Sequence, residues 1–159
     1  MAVLFSAREI VEAAIEKEKK RKGFYSAVSE LSQHEEMKDL FRFLTEEEAK
    51  HVETFTRIRD GIAEEAHSSE YTEEMQAYMD AVIDDHLYLE IDTKEFVQRA
   101  IDAKDVFRLA IGFEKDAILY FREFLPYVSE TDQKTVNGLI EAEKGHIRRL
   151  AELKKQMMQ

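Results

Sequence analysis

The sequence predicts an all-α fold in the form of a four-helix bundle. Only 5 Gly and 1 Pro occur among 159 residues, so residues that form turns and break helices are scarce. Four long segments carry apolar side chains at spacings of three and four residues, which is typical of helices with one buried face. Because the length suits one compact domain, we expect residues 1–159 to form a single domain.

Residues that favour helix ends mark boundaries of the predicted helices. Ser6 with Glu9 reads as a capping box that opens the first helix, and Asp92 with Glu95 reads as another that opens the third. Pro126 marks the end of the third helix. The predicted helices run from Ser6 to about Ser32, from about Glu35 to about Ala63, from Asp92 to Leu125, and from Thr131 or Asp132 into the tail at 154–159.

A long connection, 65–91, separates the second and third helices. A bundle needs such a crossover when its middle helices run parallel. Apolar residues recur in this connection at helical spacing, so we expect it to carry an extra short helix. They are Tyr71, Met75, Tyr78, Met79, Val82 and Ile83, followed by His86. We expect this piece to pack on its own bundle rather than to be exchanged with a second subunit, and its apolar surface favours a homodimer.

The two halves of the chain carry a weak internal repeat. Residues Ala14, Ile15, Glu18, Phe24 and Tyr25 correspond, at a constant offset of 96, to Ala110, Ile111, Glu114, Tyr120 and Phe121. Glu18 is followed 30 residues later by Glu48, and Glu114 is followed 29 residues later by Glu143. The repeat indicates one helical hairpin used twice.

Four glutamates interrupt the apolar stripes of these helices where a leucine would be expected. Each has apolar residues four and seven positions away on the same helix face. They are Glu18, Glu48, Glu114 and Glu143. Since glutamate is almost never buried without a partner, we expect each helix to point one carboxylate into the core for a specific purpose.

Two of the four glutamates have a histidine three positions later, on the same helix face. The two pairs are Glu48 with His51 and Glu143 with His146. A third pair of this spacing, Glu64 with His67, falls at a predicted helix end without an inward partner. We interpret the third pair as a chance occurrence and the first two as bidentate ligand units.

Burial of four carboxylates favours a metal centre. Desolvation and like-charge repulsion would be costly in a dry core, whereas two divalent cations would neutralise the four charges. The chain has no Cys, which excludes iron–sulfur clusters, rubredoxin-type iron and thiolate zinc sites. Oxygen and imidazole ligands suit iron or manganese. The sequence therefore predicts two metal ions, iron or manganese, bound by Glu18, Glu48, His51, Glu114, Glu143 and His146.

The charge balance excludes two classes of partner. Asp and Glu number 34 against 23 Lys and Arg, giving a formal charge of −11. A nucleic-acid binder or a protein that docks on anionic lipid needs a basic surface. The sequence has no apolar run of the roughly 20 residues that a membrane span requires, and residues 1–5 are too short for a signal-peptide core. We therefore expect a cytoplasmic protein without a membrane or nucleic-acid partner.

At these residues the sequence resembles the ferritin-like di-iron carboxylate superfamily, and most closely its rubrerythrin-like branch. The resemblance lies in four segments: AIEKEKKRKGFY with Glu18, EEEAKH with Glu48 and His51, AIGFEKDAILYF with Glu114, and EAEKGH with Glu143 and His146. It implies a ferritin-like bundle whose di-iron centre, with four Glu and two His ligands, reacts with dioxygen or hydrogen peroxide. In that arrangement Glu48 and Glu143 bridge or cap the two irons. His51 and His146 each complete one iron, and Glu18 and Glu114 are terminal ligands.

The chain departs from the rubrerythrin pattern at two points. Rubrerythrins carry a further carboxylate one turn after the first in the third helix, where this chain has Ala117. They also usually carry a Cys-rich rubredoxin domain, so here we expect electrons from an external donor, a rubredoxin-like protein or a flavoprotein. Tyr25 and Tyr120 are candidates for hydrogen bonds to the ligands, although plain packing is the more common role of a core tyrosine.

Three functions remain open at this point. The leading hypothesis is a di-iron oxidoreductase that reduces hydrogen peroxide or dioxygen. The second is a ferroxidase that oxidises Fe(II) and stores the product. The third is a metal-free helical bundle that acts as a binding module.

Overall fold

The computed structural model describes residues 7–62 and 86–157, together with Glu74, Ala77 and Ala81. Across these residues the secondary structure is helical and contains no β-strand, so the all-α prediction is confirmed. We number the α-helices in chain order: α1 (Ala7–Leu31), α2 (Glu35–Asp60), α3 (Lys94–Asp102), α4 (Val106–Phe124) and α5 (Glu130–Met157). Two short 3₁₀ helices cover His86–Leu89 and Leu125–Tyr127.

The first two helices form a hairpin close to the predicted one. The tight turn between them is held by Ser32, which is buried and accepts a hydrogen bond of 3.2 Å from the His34 backbone N–H at its hydroxyl. Ser6, the predicted cap of α1, lies outside the described residues. α2 ends at Asp60 rather than near Ala63, and the N–H of Gly61 closes the last turn on helix carbonyls.

The third predicted helix, from Asp92 to Leu125, is divided into α3 and α4. The N-cap of α3 is Thr93, one residue after the predicted cap Asp92, so the helix begins at Lys94. The Thr93 hydroxyl accepts a hydrogen bond of 3.2 Å from the Phe96 N–H. The Asp92 carboxylate lies instead 3.3 Å from the Lys20 ammonium of α1. The capping box predicted at Asp92 and Glu95 is therefore wrong.

The break between α3 and α4 is a Schellman turn. Lys104 has a φ of 58°, a left-handed conformation that costs energy for any residue with a Cβ. The Asp105 N–H bonds to the Ala100 carbonyl at 2.9 Å, and the Lys104 N–H bonds to the Ile101 carbonyl at 3.0 Å. In a continuous helix, each of these two carbonyls would accept a hydrogen bond from the N–H four residues later. Here they accept bonds from the turn instead, so the helix ends and the chain changes direction.

The last helix begins slightly earlier than predicted. After Pro126, the Ser129 hydroxyl accepts a hydrogen bond of 3.2 Å from the Asp132 N–H. This is the bond of an N-cap residue, so α5 begins at Glu130 instead of Thr131 or Asp132.

A layer of buried polar side chains divides the apolar core into two clusters. The first cluster includes Phe24, Val28, Phe41, Leu44, Val106, Phe113, Leu150 and Leu153. The second cluster includes Ile10, Ala14, Phe55, Ile58, Ala117, Phe121, Val136 and Ile140. Along the chain, α1 and α5 pass from the second cluster to the first, whereas α2 and α4 pass from the first to the second. α2 and α4 are therefore parallel, and the connection between them must travel the length of the bundle, as predicted.

The described end of this connection packs on the bundle. Tyr88 and Ile91 are buried in the first cluster, and the Tyr88 ring lies 5.4 Å from that of Phe113. Glu74, Ala77 and Ala81 are helical. The apolar residues of the predicted extra helix, from Tyr71 to Ile83, lie outside the described residues, as does the Glu64–His67 pair. Within the described chain, none of the helices is long and apolar enough to cross a membrane.

Gly23 lets the segment before α3 approach α1, which gives a stability prediction. A Cβ on Gly23 would lie 2.6 Å from the Asp92 Cβ, closer than such atoms come in real proteins. We expect Gly23→Ala to destabilise the protein by about 1–3 kcal/mol in chemical denaturation. Gly138 is exposed in α5 with nothing within 4 Å of an added Cβ, so the control Gly138→Ala should stabilise by roughly 0.5–1 kcal/mol. An unchanged midpoint for Gly23→Ala would contradict the close approach.

Candidate metal centre

The polar layer contains all six residues predicted as ligands. One comes from α1, two from α2, one from α4 and two from α5: Glu18, Glu48, His51, Glu114, Glu143 and His146. The four carboxylates are 0% exposed. The apolar residues before and after each glutamate lie on the same helix face as the glutamate. When they pack in the core, the carboxylate is buried with them.

The ligand atoms fall into two overlapping sets, and within each set they lie no more than 4.8 Å apart. One set is Glu18, Glu48, His51 and Glu143, and the other is Glu48, Glu114, Glu143 and His146. Glu48 and Glu143 belong to both sets. The two imidazole rings are nearly parallel, with centroids 6.0 Å apart. This geometry creates two adjacent cation positions that share two carboxylates.

Each imidazole turns its Nδ1 atom toward the carboxylates. His51 Nδ1 lies 2.7 Å from Glu143 Oε1 and 3.6 Å from Glu48 Oε2. His146 Nδ1 lies 3.6 Å from both Glu143 Oε2 and Glu114 Oε1. The shortest of these contacts lacks the alignment of an N–H donor, since His51 Nδ1 makes no hydrogen bond within the described part of the chain. Nitrogen and oxygen atoms that can bind a cation therefore converge in one layer.

Most of the oxygen and nitrogen atoms that could bind a cation have no hydrogen-bond partner among the described residues. They are Oε2 of Glu18 and Glu114, both oxygens of Glu48 and Glu143, and Nδ1 of His51 and His146. Buried polar atoms are almost always hydrogen-bonded, and a buried carboxylate without compensation is costly. A pair of divalent cations would satisfy these atoms together. The residues present thus fit a di-metal centre, and their oxygen and imidazole donors suit iron or manganese.

The pKa values of two residues show how the cluster is balanced without metal. Burial lowers the pKa of His51, but the Glu143 and Glu18 carboxylates raise it further, to about 10. Burial raises the pKa of Glu143, but His146 and His51 lower it more, to about 2. At neutral pH the metal-free site therefore holds a protonated His51 beside an ionised Glu143. A cation bound there takes the place of that proton.

Comparison with known proteins gives a family match and a structural match. The rubrerythrin family model matches residues 9–154, nearly the whole chain. The chain belongs to the rubrerythrin family. The crystal structure of a candidate ferritin-like diiron-carboxylate protein from Thermotoga maritima is 26% identical, with a TM-score of 0.68. The match covers 96% of this chain and 97% of that one. No curated protein gives a significant match.

The family assignment and the fold together confirm two of the sequence predictions. The rubrerythrin-like resemblance is correct, and the described helices form the ferritin-like bundle that it implies. The Thermotoga maritima structure is described as a ferritin-like diiron-carboxylate protein, and the cluster of Glu and His in this chain is compatible with a centre of that kind.

The two candidate tyrosines of this rubrerythrin-family protein have different partners. The Tyr25 hydroxyl donates a hydrogen bond of 2.7 Å to Glu114 Oε1. Tyr25 therefore orients the Glu114 carboxylate, whose Oε2 has no hydrogen-bond partner among the described residues. The Tyr120 hydroxyl donates instead to the Ile10 backbone carbonyl, also at 2.7 Å. The suggestion that Tyr120 bonds to a ligand is thus corrected, because this hydrogen bond ties α4 to α1.

This difference predicts separate effects for two conservative substitutions. Tyr25→Phe removes the hydrogen bond that orients Glu114, so we expect metal affinity to fall about 10–100-fold. Tyr120→Phe should lower thermal stability by about 1 kcal/mol and leave metal affinity unchanged. Anaerobic Co(II) titration and thermal unfolding measure the two effects. Equal metal affinities for the two variants would contradict the assignment of Tyr25.

Arg21 is a buried residue of the site that the sequence reasoning missed. Its side chain is 1% exposed, and Nη2 donates a hydrogen bond to Glu18 Oε1. Burial lowers the pKa of Arg21, but Glu18, Tyr88 and Glu143 raise it above its usual value, so the guanidinium is always charged. Its spacing of three residues from Glu18 and four from Tyr25 was the available signal, since all three then share one helix face.

Proposed function

We propose that this protein is a non-haem di-iron oxidoreductase that reduces hydrogen peroxide or dioxygen with electrons from a separate donor. The observation that carries the proposal is the pair of overlapping ligand sets with Glu48 and Glu143 in common. A single structural cation would need neither the second set nor the shared carboxylates. Membership of the rubrerythrin family supports the same conclusion.

The ligand sets suggest a division of roles. Glu18 with His51 would hold one iron, Glu114 with His146 would hold the other, and the remaining two carboxylates would hold both. Four ionised carboxylates carry −4 against +4 from two ferrous ions, and the buried Arg21 guanidinium adds one further positive charge. When bound, two ferrous ions supply the two electrons that cleavage of an O–O bond requires. Manganese accepts the same ligands, and a mixed Fe/Mn pair is compatible with them.

The protein around the ligands favours a small oxidant. All four carboxylates are fully buried between two apolar clusters, which exclude bulk water from the cation positions. Hydrogen peroxide and dioxygen are small enough to reach such a layer through side-chain fluctuations, whereas a large organic substrate is not. Tyr25 holds one terminal carboxylate in place, so the ligand geometry is set before the oxidant arrives.

The chain supplies no thiol for reduction, because it has no Cys. Ala117 is completely buried in the second apolar cluster, so the extra carboxylate of rubrerythrins has no equivalent at that position. We therefore propose that a rubredoxin-like protein or a flavoprotein returns two electrons after each turnover. A homodimer in the cytoplasm remains our proposal for the working state.

Rapid mixing of the anaerobic Fe(II)-loaded protein with each oxidant tests the proposal. We expect two Fe(II) per chain to be retained and then oxidised within one turnover. Faster oxidation by hydrogen peroxide supports a peroxidase, and faster oxidation by dioxygen supports an oxidase. Retention of fewer than one ion per chain would overturn the proposal in favour of a metal-free binding module. A many-subunit cage that fills with iron mineral would overturn it in favour of an iron-storage ferroxidase.

A further inference from the structure

The internal repeat breaks down at Arg21. At the offset of 96 that relates the two halves, Glu18 corresponds to Glu114, but Arg21 corresponds to Ala117. Both residues are buried, at 1% and 0% exposure. The position three residues after the terminal glutamate therefore holds a guanidinium in α1 and a methyl group in α4.

The two terminal glutamates are held by donors of different charge. Glu18 Oε1 accepts its hydrogen bond from the Arg21 guanidinium, whereas Glu114 Oε1 accepts its bond from the neutral Tyr25 hydroxyl. In both residues Oε2 has no hydrogen-bond partner among the described residues. Glu18 Oε2 lies 3.8 Å from His51 Nδ1, and Glu114 Oε1 lies 3.6 Å from His146 Nδ1, so each carboxylate reaches the histidine of its own position. The two positions thus offer the same kind of donor atom, but a fixed positive charge lies beside only one of them.

A count of charges shows the consequence. Each position has one terminal glutamate and a half share in each of Glu48 and Glu143, which gives −2 per position. The guanidinium of Arg21 reduces the total at the Glu18–His51 position to −1. Among the residues described, Arg21 is the one buried Lys or Arg, so no second cation of this kind balances the Glu114–His146 position. In a buried layer such a charge is poorly screened.

We propose that Arg21 makes the two metal positions unequal, so that the Glu114–His146 position fills first and holds its ion more tightly. The Glu18–His51 position then carries the ion that exchanges. This inference rests on the proposed di-metal function. It concerns which position is preferred, because two neighbouring cations repel each other and would bind in two steps even at identical positions.

Partial loading with Mn(II) tests the proposal directly. Crystals of the wild-type protein containing one equivalent of Mn(II) should show anomalous scattering mainly at the Glu114–His146 position. Equal occupancy, or preference for the Glu18–His51 position, would overturn the proposal. Absence of bound Mn(II) even at excess would instead count against the di-metal function, so the two failures are distinguishable.

Substitutions then separate charge from packing. Arg21→Met removes the charge at similar length, so the preference for the Glu114–His146 position should fall at least about tenfold. Arg21→Lys keeps the charge and should keep the preference. Arg42→Met, at an exposed position of α2, is the control and should have no effect. If Arg21→Met does not fold, the wild-type and Arg21→Lys occupancies still decide the question, because loss of preference in Arg21→Lys would show that charge is not the cause.

Discussion

Glu143→Gln is expected to reduce metal binding from two ions per chain to fewer than one. Glu143 belongs to both ligand sets, and its two oxygens lie close to Nδ1 of His51 and of His146. A neutral amide keeps the size of the side chain but removes a charge that both positions share. It also places an N–H₂ group where a cation would otherwise find an oxygen. Metal analysis after anaerobic loading with Fe(II) and removal of free ions measures the loss.

Two further variants make this prediction specific. Glu141 lies on the exposed side of α5, where it pairs with Lys144 at 2.9 Å, so Glu141→Gln should retain two ions. Glu18 belongs to one set only, so Glu18→Gln should weaken one ion and leave the other. If Glu143→Gln retained two ions with unchanged affinity, the shared-carboxylate geometry would be wrong.

The candidate ligand residues could be found from the sequence because each glutamate among them is a charged residue at a position where the helix pattern predicts a buried apolar one. A glutamate on an apolar helix stripe has few structural explanations, and four of them at matching places in a repeat have fewer still. The structure brings all four together with His51 and His146 in one layer. The spacing of apolar residues shows which side chains lie on the buried face of each helix. A shared metal centre then requires the buried faces of the four helices to pack against one another. The prediction was possible because it needs only the spacing of residues within each helix, which can be read from the sequence.

Arg21 escaped the same reasoning because of its neighbours. It stands in the run KEKKRK, where basic residues normally cover a solvated helix surface. Only its place on the Glu18 and Tyr25 face distinguishes it from Lys19, Lys20 and Lys22. An arginine on that face can turn into the core only if a buried acceptor pairs with it. For Arg21 the acceptor is the buried carboxylate of Glu18. A basic residue three positions from an inward glutamate should therefore be examined before it is assigned to solvent.

The break between α3 and α4 could not be predicted from helix-breaking residues, because neither Gly nor Pro occurs there. The Schellman turn places Lys104, not a glycine, in the left-handed conformation. Apolar residues lie on both sides of the turn, with Val97 and Ile101 before it and Val106 after it, and no Gly or Pro stands between them, so the sequence predicts one helix. The turn is instead set by tertiary packing, since Val97 and Ala100 of α3 are buried in the first apolar cluster. Contacts between distant segments of this kind have no signature in local sequence.

Bound metal is expected to raise the melting temperature more at pH 8 than at pH 5. In the metal-free fold the pKa of His51 is about 10 against an ordinary value of 6.5. The raised pKa contributes stability that is complete below pH 6.5 and is lost as the pH rises toward 10. Glu143, with a pKa of about 2, contributes stability that is present above pH 4.5 and is lost only as the pH falls toward 2. Between pH 5 and 8 the His51 effect therefore dominates.

The metal-bound protein does not share this loss, because a cation at the cluster replaces the His51 proton and binds better once that proton leaves. The metal-free protein should lose melting temperature from pH 6 to pH 9, by about 2–4 °C for each kcal/mol, while the loaded protein should not. Scanning calorimetry with and without bound Mn(II) measures the difference. In the metal-free state His51→Gln should flatten the decline, since it removes the group that titrates. Equal gains from metal at pH 5 and pH 8 would show that the His51 proton does not compensate the buried carboxylates, and the charge balance inferred for the metal-free cluster would then be wrong.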